Sequence, residues 1–475
     1  MMLSKNIVSL FAITICINIT SIPFANADDA LSYAQARQRL RLQSDAIHAS
    51  NYQVNSERER RHSLDSLDLP TLSISAGVMA YGLKRELNIE PLQQVAGQLI
   101  PGAEQYTPSS VDLDFNSVNP AASITSSWLL YTGGRNNAAR RFADAGIALA
   151  EAERTGTIEH QEKLLATVYF GHLLAKRVLR IREDVLAGVK HHLHQATRFE
   201  AKGILSKVER LHAQVAFDEA RRNLEQARAD YGIANVTLRR LLKSEQAIEP
   251  LTQLFVLSRP LAPLTEFINA GYTGHSQLAL LRAKHKQAEQ GKVIEQARWK
   301  PTVVAYGSYN LVQEDADFSN PLPLLEPDWV VGVNISYPIF DRYNRSRLVS
   351  AAEQQIQRVS ALEREVAMGI ATFIEKSYRS VERARDQFML LASSIELAQE
   401  TLNLRERLFT EGLGTSLDVV DARLAVARAE TERAVAAYDF VLSLVDLLEA
   451  SGQIANFTDY VARADIRLSI EEKAQ

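Results

Sequence analysis

The chain has 475 residues, with 53 Lys and Arg against 57 Asp and Glu, a net charge of −4 and a pI near 6.3. Charge this evenly mixed carries no nucleic-acid footprint, and the length alone would allow two to four ordinary domains. The one cysteine, Cys16, sits in the leading segment, so the rest of the chain offers no disulfide and no thiolate metal site.

Residues 1–27 combine Lys5, an apolar run from Ile7 to Ile19 and the small-x-small stretch Ala25-Asn26-Ala27. That is the pattern of a secretory signal peptide. A single membrane anchor is the alternative, but the run is short for a span. Cys16 as a lipid-attachment site lacks the small residue expected before it, since Thr14-Ile15 precede it. No later run has the length and apolarity of a transmembrane helix, so a membrane crossing would have to be made by strands.

A first repeat is expected over 28–249. Residues 30–64 read as helix, ended by Asp68-Leu69-Pro70. A β-hairpin follows over about 70–132. Leu72, Ile74, Ala76 and Val78 alternate with Ser73, Ser75 and Gly77. Between the strands, 83–120 reads as an irregular loop with Pro91, Pro101, Pro108 and Pro120. Gly133-Gly134 ends the second strand, and a long helix runs over about 136–201. The turn 202–206 leads to a helix to about 243, opened by a Ser206-x-x-Glu209 capping box. Its seam is Ala213, Phe217, Ala220, Leu224, Ala227, Tyr231, Ala234, Leu238 and Leu241.

Residues 250–263 read as a linker. The second repeat, 264–452, keeps the same order: helix, hairpin over about 301–341, long helix 344–410, turn 411–415, and helix to about 450. Trp329, Val331, Val333, Ile335 and Tyr337 alternate with Val330, Gly332, Asn334 and Ser336. Leu390, Leu397, Leu404 and Leu408 mark a heptad stripe, and Thr415-x-x-Asp418 caps the last helix. The seam from Leu417 to Leu448 does not fall at the positions equivalent to the first. Either the halves pack differently or each helix has two buried faces. Residues 453–475 read as a polar C-terminal tail.

Two landmarks recur at one spacing. Tyr131 and Phe340 end matching strands, and Gly203 and Gly412 open matching turns, 209 residues apart in each case. An internal two-fold repeat therefore organises the fold. Helices of more than sixty residues make rods of about 95 Å, too long for a globular core. The face Trp329–Tyr337 has the alternation of a lipid-facing strand, although a half-buried sheet gives the same pattern. Four strands cannot close a barrel, and lipid tolerates no open edge. Three copies would supply twelve strands with room for a pore, whereas eight would be filled by side chains.

The chain resembles the TolC-type outer-membrane efflux family over nearly all its length after the leading segment. The resemblance rests on Leu130-Tyr131-Thr132-Gly133-Gly134-Arg135 with Pro338-Ile339-Phe340-Asp341, and on the paired turns. The second turn, from Phe409 to Ala422, is the more specific. The resemblance implies a mixed α and β membrane protein: a transmembrane antiparallel β-barrel completed by trimerisation, four strands per chain, continued by a long α-helical coiled-coil barrel in the periplasm. It implies an exit channel in the cell outer membrane for small toxic molecules or secreted proteins, working with a periplasmic adaptor and an inner-membrane transporter. It implies that the tip turns meet the adaptor, here Gly203, Ile204, Leu205 and Ser206, with Gly412, Leu413, Gly414 and Thr415.

Aspartates one turn apart line the entrance in such channels, and Asp418 and Asp421 match that spacing. Charges at i and i+3 share a face, and a ring of acids favours cations. Asp418 could equally be the partner of the Thr415 cap. The first half places Glu209 and His212 at these positions. Some members clasp the entrance with a Tyr and an Arg, where this chain has Phe409 and Gly414.

His191 and His194 share a helical face, but no acid or thiol completes a metal set. No nucleophile–base pair, phosphate loop or cofactor motif is present, so neither an enzyme nor a cofactor is expected. A pore-less periplasmic scaffold or adaptor is the alternative reading, with Trp329–Tyr337 the feature that speaks against it.

Overall fold

The structure, a computed structural model, describes residues 29–312 and 327–469. The expected signal segment with Cys16, most of the second strand-connecting loop and the last six residues lie outside the described residues. In chain order, β1 (Asp29–Leu31) leads into α1 (Tyr33–Gln43) and α2 (Asp45–Ser63). β2 (Thr71–Asn88), α3 (Glu90–Leu99) and β3 (Ser110–Tyr131) follow. Then come α4 (Arg135–Ala201), α5 (Lys207–Leu241), β4 (Ile248–Pro250) and β5 (Leu254–Val256). α6 (Leu264–Gly274) and α7 (Ser276–Ala297) precede β6 (Thr302–Val312) and β7 (Trp329–Ser336). α8 (Asn344–Thr410), α9 (Ser416–Ala450), α10 (Phe457–Arg463) and β8 (Ile466–Leu468) complete the described chain.

α4 and α8 have 67 residues each, which makes rods of about 100 Å. α5 and α9 have 35 each. From Arg135 to Asn344 and from Lys207 to Ser416 is 209 residues in both cases. The backbone entering the rods matches too. Gly133 and Gly134 take φ of 67° and 90°, and Arg342 and Tyr343, 209 positions on, take 56° and 64°. Glycine is needed at 133, because a Cβ there would stand 2.8 Å from the Ala297 carbonyl oxygen.

The spans read as single helices near 30–64 and 264–298 are each broken in two. Ser44 and His275 hold extended backbone, with ψ of 120° and 127°. Gly274 gives a local reason for the second break. At Ser44 no proline or glycine marks the site.

α2 and α5 both pack along α4, while α6, α7 and α9 pack along α8. α4 also meets α7 and α9, which ties the two halves together. At the tip end the helices run α5, α4, α9, α8. The mismatch of seams now has its reason. α9 lies between two rods and buries Val420, Ala434 and Val441 as well as Val419, Val426 and Phe440. α5 stands at the edge of the layer and buries one stripe, Ala213, Ala220, Leu224, Ala227 and Leu238. α8 stands at the other edge, and its heptad leucines are open: Leu390 is 71% and Leu397 73% exposed.

Segments 250–263 and 453–475 are not a plain linker and a polar tail. β4 pairs with β1 and β5 with β8. Phe255 and Phe457 are buried with Tyr33, Tyr169, Phe170 and Phe440 in one cluster at mid-height. Tyr33 and Phe457 meet edge to face at 5.0 Å. The Tyr169 hydroxyl donates to the Leu31 carbonyl at 2.7 Å and accepts from the Thr252 N–H at 3.0 Å. Each such buried ring contributes roughly 1.5–3 kcal/mol by area, enough to dock these segments as a collar around the rods.

The sheet has the order β2-β3-β6-β7, antiparallel throughout. The segment read as irregular loop, 83–120, is largely ordered: β2 runs on to Asn88, β3 begins at Ser110, and α3 fills the connection. Pro120 did not end the strand. It lies within β3 and pairs with Val78 of β2.

Candidate functional site

The two helical turns form one end of the molecule. In the first, Gly203 takes φ 71° and Ile204 N–H donates to the Phe199 carbonyl at 2.9 Å. In the second, Gly412 takes φ 75° and Leu413 N–H donates to the Leu408 carbonyl at 2.9 Å. Both turns therefore stop a rod with a left-handed glycine. Ile204 and Leu413 stand exposed at their apices.

The caps differ. Thr415 and Asp418 form the full box: Thr415 Oγ1 accepts from the Asp418 N–H at 3.2 Å, and Asp418 Oδ2 accepts from the Thr415 N–H at 3.2 Å. Arg405 Nη1 lies 3.3 Å from Asp418 Oδ1. The Thr415 hydrogen bonds hold the Asp418 carboxyl below the usual carboxylate range, with Arg405 adding to the shift. In the first turn Ser206 Oγ accepts from the Glu209 N–H at 3.4 Å, but the reciprocal half is missing. The Glu209 carboxylate instead crosses to the second turn and accepts the Ser416 N–H at 2.7 Å. Ser416 opens α9, so its N–H has no partner within its own helix. The acid of one hairpin thus serves the helix start of the other.

Beneath the turns, α4 meets α8 and α9. Phe409 is buried, with its ring 4.5 Å from His192 and 5.8 Å from Phe199. Gly414 lies so close to the end of α8 that a Cβ would stand 3.1 Å from the Phe409 nitrogen. Positions 409 and 414 therefore hold a buried aromatic ring and a tight turn. His192 is 3% exposed, and its Nε2 has no hydrogen-bond partner among the described residues. Burial pushes its imidazole down to about 4, with Arg423 and His191 in the same direction and Glu209 against. Arg423 pairs with Glu406, and Gly188 leaves the space its guanidinium occupies. A cavity of about 440 Å³ opens here between His191, His192, Gln195, Arg407 and Arg423.

Asp421 and His212 are exposed one turn beyond the caps, on α9 and α5. His191 and His194 are exposed, and among the described residues no three His, Cys, Asp or Glu side chains converge as a metal set. His192, Glu406 and Arg423 were missed by sequence reasoning. An isolated buried histidine has no spacing signal, and the Arg423–Glu406 pair joins two helices.

At the other end the sheet has two unlike faces. Trp329, Val331, Val333, Ile335 and Tyr337 are all exposed, as are Leu72, Ile74 and Trp128. The register aligns Trp329 with Tyr309, and Tyr309 with Ile124, on that same face. The other face is small and polar. Ser73 Oγ lies 2.7 Å from Thr125 Oγ1, and Ser75 Oγ 3.0 Å from Ser123 Oγ. Trp128 Nε1 donates to the Asp68 carbonyl at 2.7 Å, where strands meet helices, as an aromatic belt residue does. No helix among the described residues is long and apolar enough to cross a membrane.

The pattern of the family described as "Outer membrane efflux protein" matches residues 36–243 and 273–453. The chain belongs to the outer membrane efflux protein family. It is an outer-membrane protein. Among curated relatives, "Protein CyaE" of Bordetella pertussis is 24% identical over 278 residues, 56% of either chain. "Outer membrane protein TolC" of Vibrio cholerae is 25% identical over 304 residues, 61% of this chain and 67% of TolC. The matched segment thus spans little more than half of CyaE and about two thirds of TolC. The crystal structure of the Campylobacter jejuni CmeC outer membrane channel superposes with a TM-score of 0.71 over 91% of this chain and 90% of CmeC, at 12% identity. That likeness places the fold, a helical barrel with a β domain.

Proposed function

We propose that three copies of this chain form an exit channel, each giving four strands to a twelve-stranded barrel and two helical hairpins to a periplasmic tunnel. The observation that carries the reading is that one chain is open on both sides. β2 and β7 end the sheet with unpaired edges, which hydrocarbon does not tolerate. α5 and α8 end the helical layer with bare apolar stripes. Val208, Leu211 and Val215 are open on α5, and Leu390, Leu397 and Leu404 on α8. Joining β7 to the next β2, and α8 to the next α5, satisfies both ends with one rotation, and a closed ring leaves no edge. The two halves then act as near-equal wall segments, consistent with an internal repeat.

The small polar face of Ser73, Ser75, Ser123 and Thr125 would line the lumen, and Trp329 to Tyr337 would meet lipid. Asp418 and Asp421, with Glu209 and His212 beside them, would ring the periplasmic entrance. Asp421 is the freer acid, because Asp418 is engaged by Thr415 and Arg405. The turns Gly203–Ser206 and Gly412–Thr415 would receive a periplasmic adaptor, and an inner-membrane transporter would supply the energy. The channel itself would catalyse nothing and need no cofactor. Cargo of small toxic molecules or secreted protein fits a bare polar lumen. Reconstitution in planar bilayers tests this: discrete, cation-preferring conductance supports the reading, and an electrically silent protein recovered in the soluble periplasmic fraction contradicts it.

A further inference from the structure

The cavity of about 440 Å³ beneath the turns is used neither by the entrance acids nor by the tip residues. It lies between α4 and α8, with Arg423 of α9 in its lining. Asp421 and Arg423 are two residues apart on α9, about 200° around the helix. They therefore point to nearly opposite sides, and the cavity opens away from Asp421. Its charged lining is Arg407 and Arg423 against Glu406. Glu406 is already paired with Arg423, which leaves one cation in excess. Arg407 makes no ion pair among the described residues. Glu209, a further acid near His192, does not line the cavity and is committed to the Ser416 N–H.

Two buried nitrogens of this lining, His192 Nε2 and Arg423 Nε, have no hydrogen-bond partner among the described residues. A guanidinium Nε–H can only donate, and an imidazole protonated at Nε2 donates as well. Buried polar atoms of this kind are ordinarily satisfied. What satisfies both is an acceptor inside the cavity. Water supplies an acceptor but no negative charge. A metal cation or an amine would meet two guanidiniums. An oxyanion supplies several acceptor oxygens together with the missing charge, and its bonds to guanidinium are of the strong, charge-assisted kind.

Gly188 makes room for this arrangement. A Cβ at 188 would run into the Arg423 guanidinium. Glycine is otherwise a poor choice inside a 67-residue helix, where alanine is favoured. Its place here lets the guanidinium sit against the α4 backbone, beside His192. The Phe409 ring, 4.5 Å from His192, adds an apolar wall. We infer that the cavity binds a small free oxyanion of the phosphate or sulfate class, held by Arg407 from α8, Arg423 from α9 and His192 from α4. Water fills the remaining volume. One ion then bridges the two helical hairpins behind their tips, and a ligand that binds only the folded arrangement stabilises it. The site is built within one chain, so it does not depend on how many chains assemble.

Titration calorimetry with inorganic phosphate tests the site in the full-length protein in mild detergent, at neutral pH, with ionic strength held constant by sodium chloride. The expected result is saturable binding of one phosphate per chain, and a melting midpoint that rises with phosphate. Gly188→Ala strengthens the helix while displacing Arg423, so loss of binding in it is not loss of fold. Gly188→Ala and Arg407→Gln are each expected to weaken phosphate binding about tenfold or more. Lys202→Gln removes a cation at the same end of the molecule, outside the cavity, and is expected to bind as the parent does. No saturable binding in the parent, or equal binding in the parent, Gly188→Ala and Arg407→Gln, overturns the site and leaves the cavity to water.

Discussion

Glu209 Oε2 accepts the Ser416 backbone N–H at 2.7 Å, so the first helical hairpin caps the helix that opens the second half of the second. The two acids at matched positions have therefore parted in role: Asp418 closes its own cap, and Glu209 closes that of its neighbour. A charge-assisted bond at a helix start contributes on the order of 1–2 kcal/mol. Glu209→Ala is expected to speed amide exchange over 413–422 by about tenfold, the equivalent of roughly 1.4 kcal/mol. Exchange over 434–450 should not change, and Lys207→Ala should leave both segments alone. Equal exchange in Glu209→Ala and the parent would remove the cross-tip bond from the account.

The pair Asp418 and Asp421 separates a structural from a pore role. Asp421→Asn removes an exposed charge and no cap, so block by multivalent cations in bilayer recordings should weaken while the melting temperature holds. Asp418→Ala should weaken block and also lower the melting temperature through the lost half of the capping box. Unchanged block in the double variant would take both residues out of the pore.

Two buried histidines make the helical part sensitive to acid. Burial holds His172 and His192 at about 4, below the ordinary 6.5. Both are neutral in the folded chain at pH 6, where the unfolded chain already binds protons. Their contribution is therefore full above pH 6.5 and is lost as pH falls from 6.5 towards 4, on the order of 2 kcal/mol each. Melting midpoints of the protein in detergent should drop over that window. His192→Phe, which keeps the stacking on Phe409, should flatten the drop. A curve with the same slope in the variant would assign the acid response elsewhere.

Arg345 fixes the point where the second hairpin enters its rod. It is buried, with Nε 2.9 Å from Asp341 Oδ2, Nη1 donating to the Arg298 carbonyl at 3.2 Å, and the guanidinium 4.5 Å over Trp299. Removing the guanidinium would leave the Asp341 carboxylate and the Arg298 carbonyl without this partner. Arg345→Ala should thus lower outer-membrane yield and melting temperature, and Arg345→Lys should recover only part of the loss, since lysine lacks the planar fork. Full stability in Arg345→Ala would contradict a structural role for this junction.

Much of this fold was legible in the sequence because its signals are periodic and local. The rods show as long proline-free helical patterns, the turns as glycine followed by a cap, and the strand Trp329–Ser336 as strict alternation. What was hidden depends on distant partners. Glu209 looked like the partner of Ser206, and its true contact lies more than two hundred residues away. The break at Ser44 has no proline or glycine to announce it. Pro120 suggested a loop, yet it lies inside β3, paired with Val78. Phe255 and Phe457 sat in segments that read as linker and tail, and only the aromatic cluster around Tyr33 and Phe170 explains their burial. The leucine stripe on α8 was visible as a heptad, but not that Leu390, Leu397 and Leu404 stand open in the single chain.

If one chain is a third of a pore, the folded particle holds three chains, and its mass reports their number. Native mass measurement of the protein extracted in mild detergent should give three copies. Leu397→Asp, which puts charge on the open α8 stripe, should shift it toward single chains. A stable single chain of unmodified sequence with its strands intact, or a ring of two, would contradict the account.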